Sequence, residues 1–211
     1  MASRMMHLAA AKLLLDMLPA GMDASRFMSG SIMVDSAPAE RKASHFLMVV
    51  EGRKTYDTAR FRDRYGHLLL TDGLVLGYYL HLVQDLVFRD ELYHVLGFNP
   101  RMPGYLAGLH SDYRRLNQSL AKRFCLAADF DIPSDASPLD KIADFDMLGL
   151  PSALAEDFSA PGEPEAFFFT QEMALGYINR AVRLCRDELR ALQNGLPLID
   201  PKEWMWKADP V

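Results

Sequence analysis

The chain has 211 residues, half of them hydrophobic, which is enough for one domain with a sizeable core. Its net charge of −5 and isoelectric point near 5.7 argue against a general nucleic-acid or anionic-membrane surface, since both need a basic footprint, but they leave room for a small anion at a local cationic site. Cys125 and Cys185 are the two cysteines and lie far apart, so neither a CxxC metal motif nor a disulfide framework is present, and reduced thiols in a cytoplasmic protein fit best.

In chain order, Met6, Ala9, Ala10, Leu13, Leu14 and Met17 recur at i, i+3, i+4 spacing. They predict a first helix with Ser3 as N-cap and Pro19-Ala20-Gly21 as its stop. Arg4 ahead of this apolar stretch imitates a signal peptide, but Lys12 and Asp16 interrupt it at helical spacing. A short helix is expected from about 23 to 33, with Asp35 just beyond it, and another from 57 to 69. The segment from 74 to 96 is apolar nearly all round, the mark of a helix buried by its neighbours. Gly97, Pro100, Pro103 and Gly104 break the chain before a helix from 105 to 126, with Arg114, Arg115, Lys122 and Arg123 on a solvated face. Residues 129 to 164, rich in Pro, Ser, Asp and Ala, read as a surface excursion with one or two short helices. A last helix is expected from 166 to 194, stopped by Gly195-Leu196-Pro197. No alternating β segment of useful length is evident, no internal repeat occurs, and no run reaches the roughly 18 apolar residues of a membrane span. The expected fold is all-α, an irregular multi-helix bundle around the 74 to 96 helix, forming a single domain over residues 1 to 211.

Within that central helix His81 and Asp85 stand four positions apart, so an imidazole and a carboxylate project from one face of an apolar element. Such a pair either hydrogen-bonds internally or holds a metal ion, because buried carboxylates are paired or bound to metal and neutral imidazole is a common ligand. His7, Asp35 and His45 add a His/carboxylate mixture suited to zinc or a similar divalent ion, closed between the elements of a bundle. His67 and His94, near helix ends, read as surface residues. At least one of Tyr78 and Tyr79 reads as core packing rather than substrate contact, and the methionines as gap-filling core. No GxSxG, P-loop or GxGxxG pattern and no His-Asp dipeptide is present, so serine hydrolase, P-loop and dinucleotide chemistries lack support.

Four segments, Ser3-Arg4-Met5-Met6-His7, Gly30-Ser31-Ile32-Met33-Val34-Asp35, Lys42-Ala43-Ser44-His45-Phe46 and Leu76-Gly77-Tyr78-Tyr79-Leu80-His81-Leu82-Val83-Gln84-Asp85, resemble the zinc-dependent phospholipase C-like family, whose superfamily also holds single-strand-specific nucleases. The likeness is greatest to its small leaderless bacterial members and covers about the first 95 residues. It implies that His7, Asp35, His45, His81 and Asp85 are metal ligands, with Asp85 bridging two ions and Asp35 a ligand or water-orienting catalytic base. The family's HxxxE pair is missing, and Glu91 and His110 are candidate additional ligands at roughly that distance. Arg4 and Lys42, beside ligand positions, are candidates for contact with a substrate phosphate. The implied function is a zinc-dependent hydrolase of phosphoesters, phosphodiesters foremost, using one or two zinc or other divalent ions on a small phosphorylated substrate. The alternative is a catalytically silent helical module that keeps the scaffold and some ligands. Oligomeric state is not legible in the sequence.

Overall fold

The computed structural model describes residues 1–159 and 168–207. The protein is essentially all-α. Helix α1 (Arg4–Lys12) starts where the Ser3 side chain accepts from the Met6 amide, and α2 (Ala24–Met33) is capped in the same way by Asp23. A single 3₁₀ turn, Val34–Ser36, carries Asp35, and the four-residue α3 (Arg41–Ser44) leads into His45. Helices α4 (Thr58–Tyr65) and α5 (Gly73–Asp90) follow, and α5 runs on through one π-helical turn, Glu91–Val95. Beyond them are α6 (Tyr105–Phe124), α7 (Leu150–Ser159) and α8 (Gln171–Gln193).

The central helix is buried from Gly73 through Phe88 without interruption, as its apolar sequence requires. Its closest partner is α2. A Cβ built on Gly77 would lie 2.2 Å from the Phe27 carbonyl oxygen, and one on Gly30 would lie 2.2 Å from that of Leu74. Only a hydrogen at these positions lets the two backbones touch. This contact delivers the last turn of α2, and Asp35 just after it, to the His81 face of α5. Helix α8 closes the other flank of the core, with Tyr177, Ile178, Ala181 and Cys185 fully buried.

Three expectations need correction. A small antiparallel sheet is present: β1 (Leu47–Val50) pairs with β2 (Arg53–Tyr56), and β2 pairs with β3 (Trp206–Lys207). Its hairpin turns through Glu51 and Gly52, both at positive φ, which is the two-residue geometry that matches strand twist. Four-residue strands are too short for alternation to stand out, and β3 comes from the far end of the chain. Arg115 is not on a solvated face; it is partly buried and donates from Nη2 to the Phe169 carbonyl oxygen at 3.0 Å. Helix α8 begins at Gln171 rather than 166, because the Thr170 side chain accepts from the Met173 amide and fixes the start there. The opening residues of that expected helix, 166 and 167, and the end of the 129 to 164 excursion, 160 to 164, lie outside the described residues. Within the rest of the excursion α7 is the regular helix, and Leu139, Leu150 and Leu154 anchor the segment in the core. Among the described residues no helix is long and apolar enough to cross a membrane.

Candidate metal centre

Five of the residues singled out by sequence converge between α1, α2, α3 and α5. His7 projects from α1, Asp35 from the turn after α2, His45 from the end of α3, and His81 and Asp85 from successive turns of α5. His7, His45, His81 and Asp85 are essentially without solvent exposure, and the Asp35 side chain is 11% exposed.

The distances distinguish an internal hydrogen bond from a coordination shell. His7 Nε2 lies 3.5 Å from Asp85 Oδ1, and His45 Nε2 lies 3.4 Å from Asp35 Oδ1 and 3.5 Å from Asp85 Oδ2. His81 Nε2 lies 3.7 Å from Asp85 Oδ2. These separations exceed the 2.7–3.2 Å of an N–H···O bond. They match the ~3.4 Å between neighbouring ligands on a tetrahedral ion with bonds of about 2.1 Å. His7 Nε2, Asp35 Oδ1, His45 Nε2, His81 Nε2 and Asp85 Oδ2 are all buried without a hydrogen-bond partner. One such polar orphan is costly in a protein interior, and five converging orphans have a common explanation in a cation. The donor atoms form two overlapping groups, His7 with Asp35 and His81, and His45 with His81 and Asp85, each lying within 4.8 Å of one another. These buried groups can hold a metal ion.

The imidazoles are turned so that Nε2 faces the cluster. His81 Nδ1 lies 2.9 Å from the Ser31 carbonyl oxygen, in the last turn of α2, where helix carbonyls lack intrahelical partners. A carbonyl can only accept, so Nδ1 carries the proton and Nε2 keeps its lone pair. His45 Nδ1 faces the Arg41 carbonyl at 3.1 Å and Ser44 Oγ at 2.9 Å, and His7 Nδ1 faces Gln84 Oε1 at 2.9 Å. Partners of this kind orient histidines that bind metal and raise their basicity. Tyr78, stacked on Phe61 in the core, donates to the Ser44 carbonyl and so fixes the turn before His45. Tyr79 is also buried and donates to Glu188 on α8.

Charge states agree with coordination. Burial, followed by the neighbouring His7, pushes His81 down to about 3, so its ring is neutral at ordinary pH. Burial alone would raise Asp35 and Asp85. The neighbouring His45 and His81 rings instead hold Asp35 below the usual carboxylate range. For Asp85 the same is done by His7, the chain's amino terminus and His81.

The other candidates lie elsewhere. Glu91 Oε2 accepts from Arg180 Nη1 at 3.0 Å and belongs to neither converging group. His110 is exposed on the wall of a cavity of about 420 Å³ that Asp35 also lines. Arg4 lines the same cavity, with Nε donating to Asp157 Oδ2 at 2.6 Å. Lys42 is exposed on a second cavity, of about 620 Å³, lined also by His45. His67 and His94 are exposed. Sequence reasoning passed over Gln84, Tyr56 and Arg89. The last was readable as the next i+4 step after His81 and Asp85; Tyr56 reaches the site on a strand that periodicity did not reveal. No protein-family model, curated protein or solved structure matches the chain.

Proposed function

We propose that this protein is a zinc-dependent hydrolase of phosphoesters, with phosphodiesters the preferred class. The observation that carries the reading is the convergence of five buried, unpartnered donor atoms at tetrahedral-edge separations. Three imidazoles and two carboxylates suit zinc ahead of the harder, oxygen-seeking cations. The resemblance to zinc-dependent phospholipase C-like proteins in the segments holding these residues supports the same assignment.

His45, His81 and Asp85 would hold one ion, and His7 and Asp35, with His81 between the two groups, would hold or share a second. Bound zinc supplies an electrophile for the phosphoryl oxygens and a water that ionises near neutral pH. Asp85 presents Oδ1 toward His7 and Oδ2 toward His45, so one carboxylate faces both groups. Asp35 reaches a cavity wall and is the carboxylate placed to accept a hydrogen bond from an attacking water. Because its neighbours hold it ionised, it acts as an acceptor that orients water more than as a proton store. Exclusion of solvent around the three histidines strengthens every electrostatic interaction at the centre.

The test is metal analysis of protein purified without chelator, together with hydrolysis of bis(p-nitrophenyl) phosphate. Near-stoichiometric or higher zinc is expected, with turnover supported by zinc or manganese and abolished by chelator. Lys42→Ala should weaken substrate binding and leave metal content intact. Full metal occupancy without hydrolysis of any phosphodiester or phosphomonoester in a broad panel would overturn the hydrolase reading in favour of a silent metal-binding module.

A further inference from the structure

Arg89 stands four residues beyond Asp85 and eight beyond His81 on α5, so the stripe carrying two ligand candidates ends in a guanidinium. Its Nε donates to Tyr56 Oη at 3.3 Å and its Nη1 to Tyr93 Oη at 2.5 Å. The guanidinium carbon lies 5.6 Å from the Tyr93 ring centre and 5.4 Å from that of Trp206. These contacts fix the fork without neutralising it. Both hydrogen-bond partners, Tyr56 and Tyr93, are phenols rather than carboxylates. Among the described residues no carboxylate oxygen lies within 4.0 Å of the Arg89 nitrogens, and Nη2 makes no hydrogen bond. A guanidinium placed by neutral aromatic groups, with donors uncommitted, has the character of an anion receptor.

Its position says which anion. Arg89 and Arg41 line both cavities beside the centre, the one that Asp35 reaches and the one that His45 reaches. In the first, Asp157 pairs with Arg4; in the second, Glu40 is outnumbered by the cationic Arg41, Lys42 and Arg89 on the same lining. Arg89 and Arg41 therefore provide local positive charge next to the His/Asp cluster in a chain of net charge −5.

We propose that Arg89, assisted by Arg41, is the oxyanion-binding residue of this site and grips the non-bridging oxygens of a phosphoryl group presented to the His/Asp cluster. The assignment rests on the metal-dependent phosphoesterase reading and adds the residue that recognises the substrate's charge. A planar fork matches two oxygens of a tetrahedral phosphate at once, which a lysine ammonium does not.

Inorganic phosphate is titrated calorimetrically into wild type, Arg89→Met and Arg89→Lys, each zinc-loaded and each chelator-treated, with metal content measured on the same samples. Arg89→Met should retain its zinc and bind phosphate at least about tenfold more weakly, with Arg89→Lys between it and wild type. Phosphate affinity within twofold of wild type in Arg89→Met would overturn the assignment. If wild type binds no zinc but its phosphate affinity still depends on Arg89, the metal-centre reading fails and the anion site stands. Should Arg89→Met fold poorly, phenylglyoxal labelling of wild type decides the matter: phosphate should protect Arg89 from modification, and equal labelling with and without phosphate would refute the proposal.

Discussion

Three imidazoles and two carboxylates share the centre, yet no hydrogen bond joins an imidazole to a carboxylate among them. Their second nitrogens are spoken for by Ser31, Arg41, Ser44 and Gln84, which makes the outer layer as testable as the ligands. Gln84→Ala should lower zinc affinity by about 10–100-fold while the fold persists, as loss of an orienting partner does. Competition with a chromophoric chelator measures it; an unchanged affinity would remove Gln84 from the outer layer. Asp85→Asn should cost more, because an amide lacks the charge and the second equivalent oxygen. Metal-free protein should also be acid-sensitive. His81 titrates near 3 in the fold and near 6.5 when unfolded, so between those values the unfolded chain binds the extra proton. Its contribution to stability is complete above pH 6.5 and declines as pH falls, by at most about 1.4 kcal/mol per pH unit. Asp35 and Asp85, both depressed, add a loss that starts below the ordinary carboxylate value of 3.8. Urea melts of chelator-treated protein from pH 8 to 2 check this, and a flat or rising stability on acidification through pH 6 would contradict it.

At the scale of elements, the decisive contact is α2 on α5. Gly30 and Gly77 let the two helices meet backbone to backbone, and the Ser31 carbonyl then reaches His81. Gly77→Ala places a methyl 2.2 Å from the Phe27 carbonyl oxygen and should destabilise by about 1–3 kcal/mol or more. It should also weaken zinc binding, because parting the helices moves Ser31. Gly176 on α8 is the control: it is helical and exposed, and its added Cβ meets nothing within 4 Å. Gly176→Ala should therefore be stabilising, by roughly 0.4–1 kcal/mol, with zinc affinity unchanged. Chemical denaturation of both variants tests the pair; equal effects would mean that close approach of α2 and α5 is not what Gly77 provides.

For the whole molecule, the centre ties together elements distant in sequence. α1, the turn after α2, the end of α3 and α5 each contribute donors, so a bound ion cross-links the first 85 residues of the chain. Binding to the folded state alone raises stability by about 4 kcal/mol when free zinc is a thousandfold above its dissociation constant. The melting temperature should accordingly rise with zinc and fall on chelation. A melting temperature indifferent to both would contradict a preformed site. Elsewhere the fold is held without metal. Glu188 on α8 accepts from Tyr79 on α5 and from the amides of Leu198 and Ile199, which tie the carboxy-terminal segment to the core.

The sequence by itself determined the helical class and the identity of the buried central helix, because a run apolar on every face has only the interior to occupy. It also determined that His81 and Asp85 share a face, since helical geometry fixes i and i+4. The cap at Ser3 was legible too, because its side chain bonds an amide within three residues, whereas the start set by Thr170 was missed. Tertiary structure decided everything that depended on distant segments. Whether His81 bonds Asp85 or stands beside it unpartnered turns on the Ser31 carbonyl, fifty residues away, which takes the other ring nitrogen. The hairpin was hidden because strands of four residues carry too little pattern, and its partner β3 lies about 150 residues beyond. Arg89 acquires meaning only when Tyr56 from β2 and Trp206 from β3 fold over it and leave its charge facing the two cavities. Local periodicity records which face a residue occupies; only packing fixes which atoms it meets there.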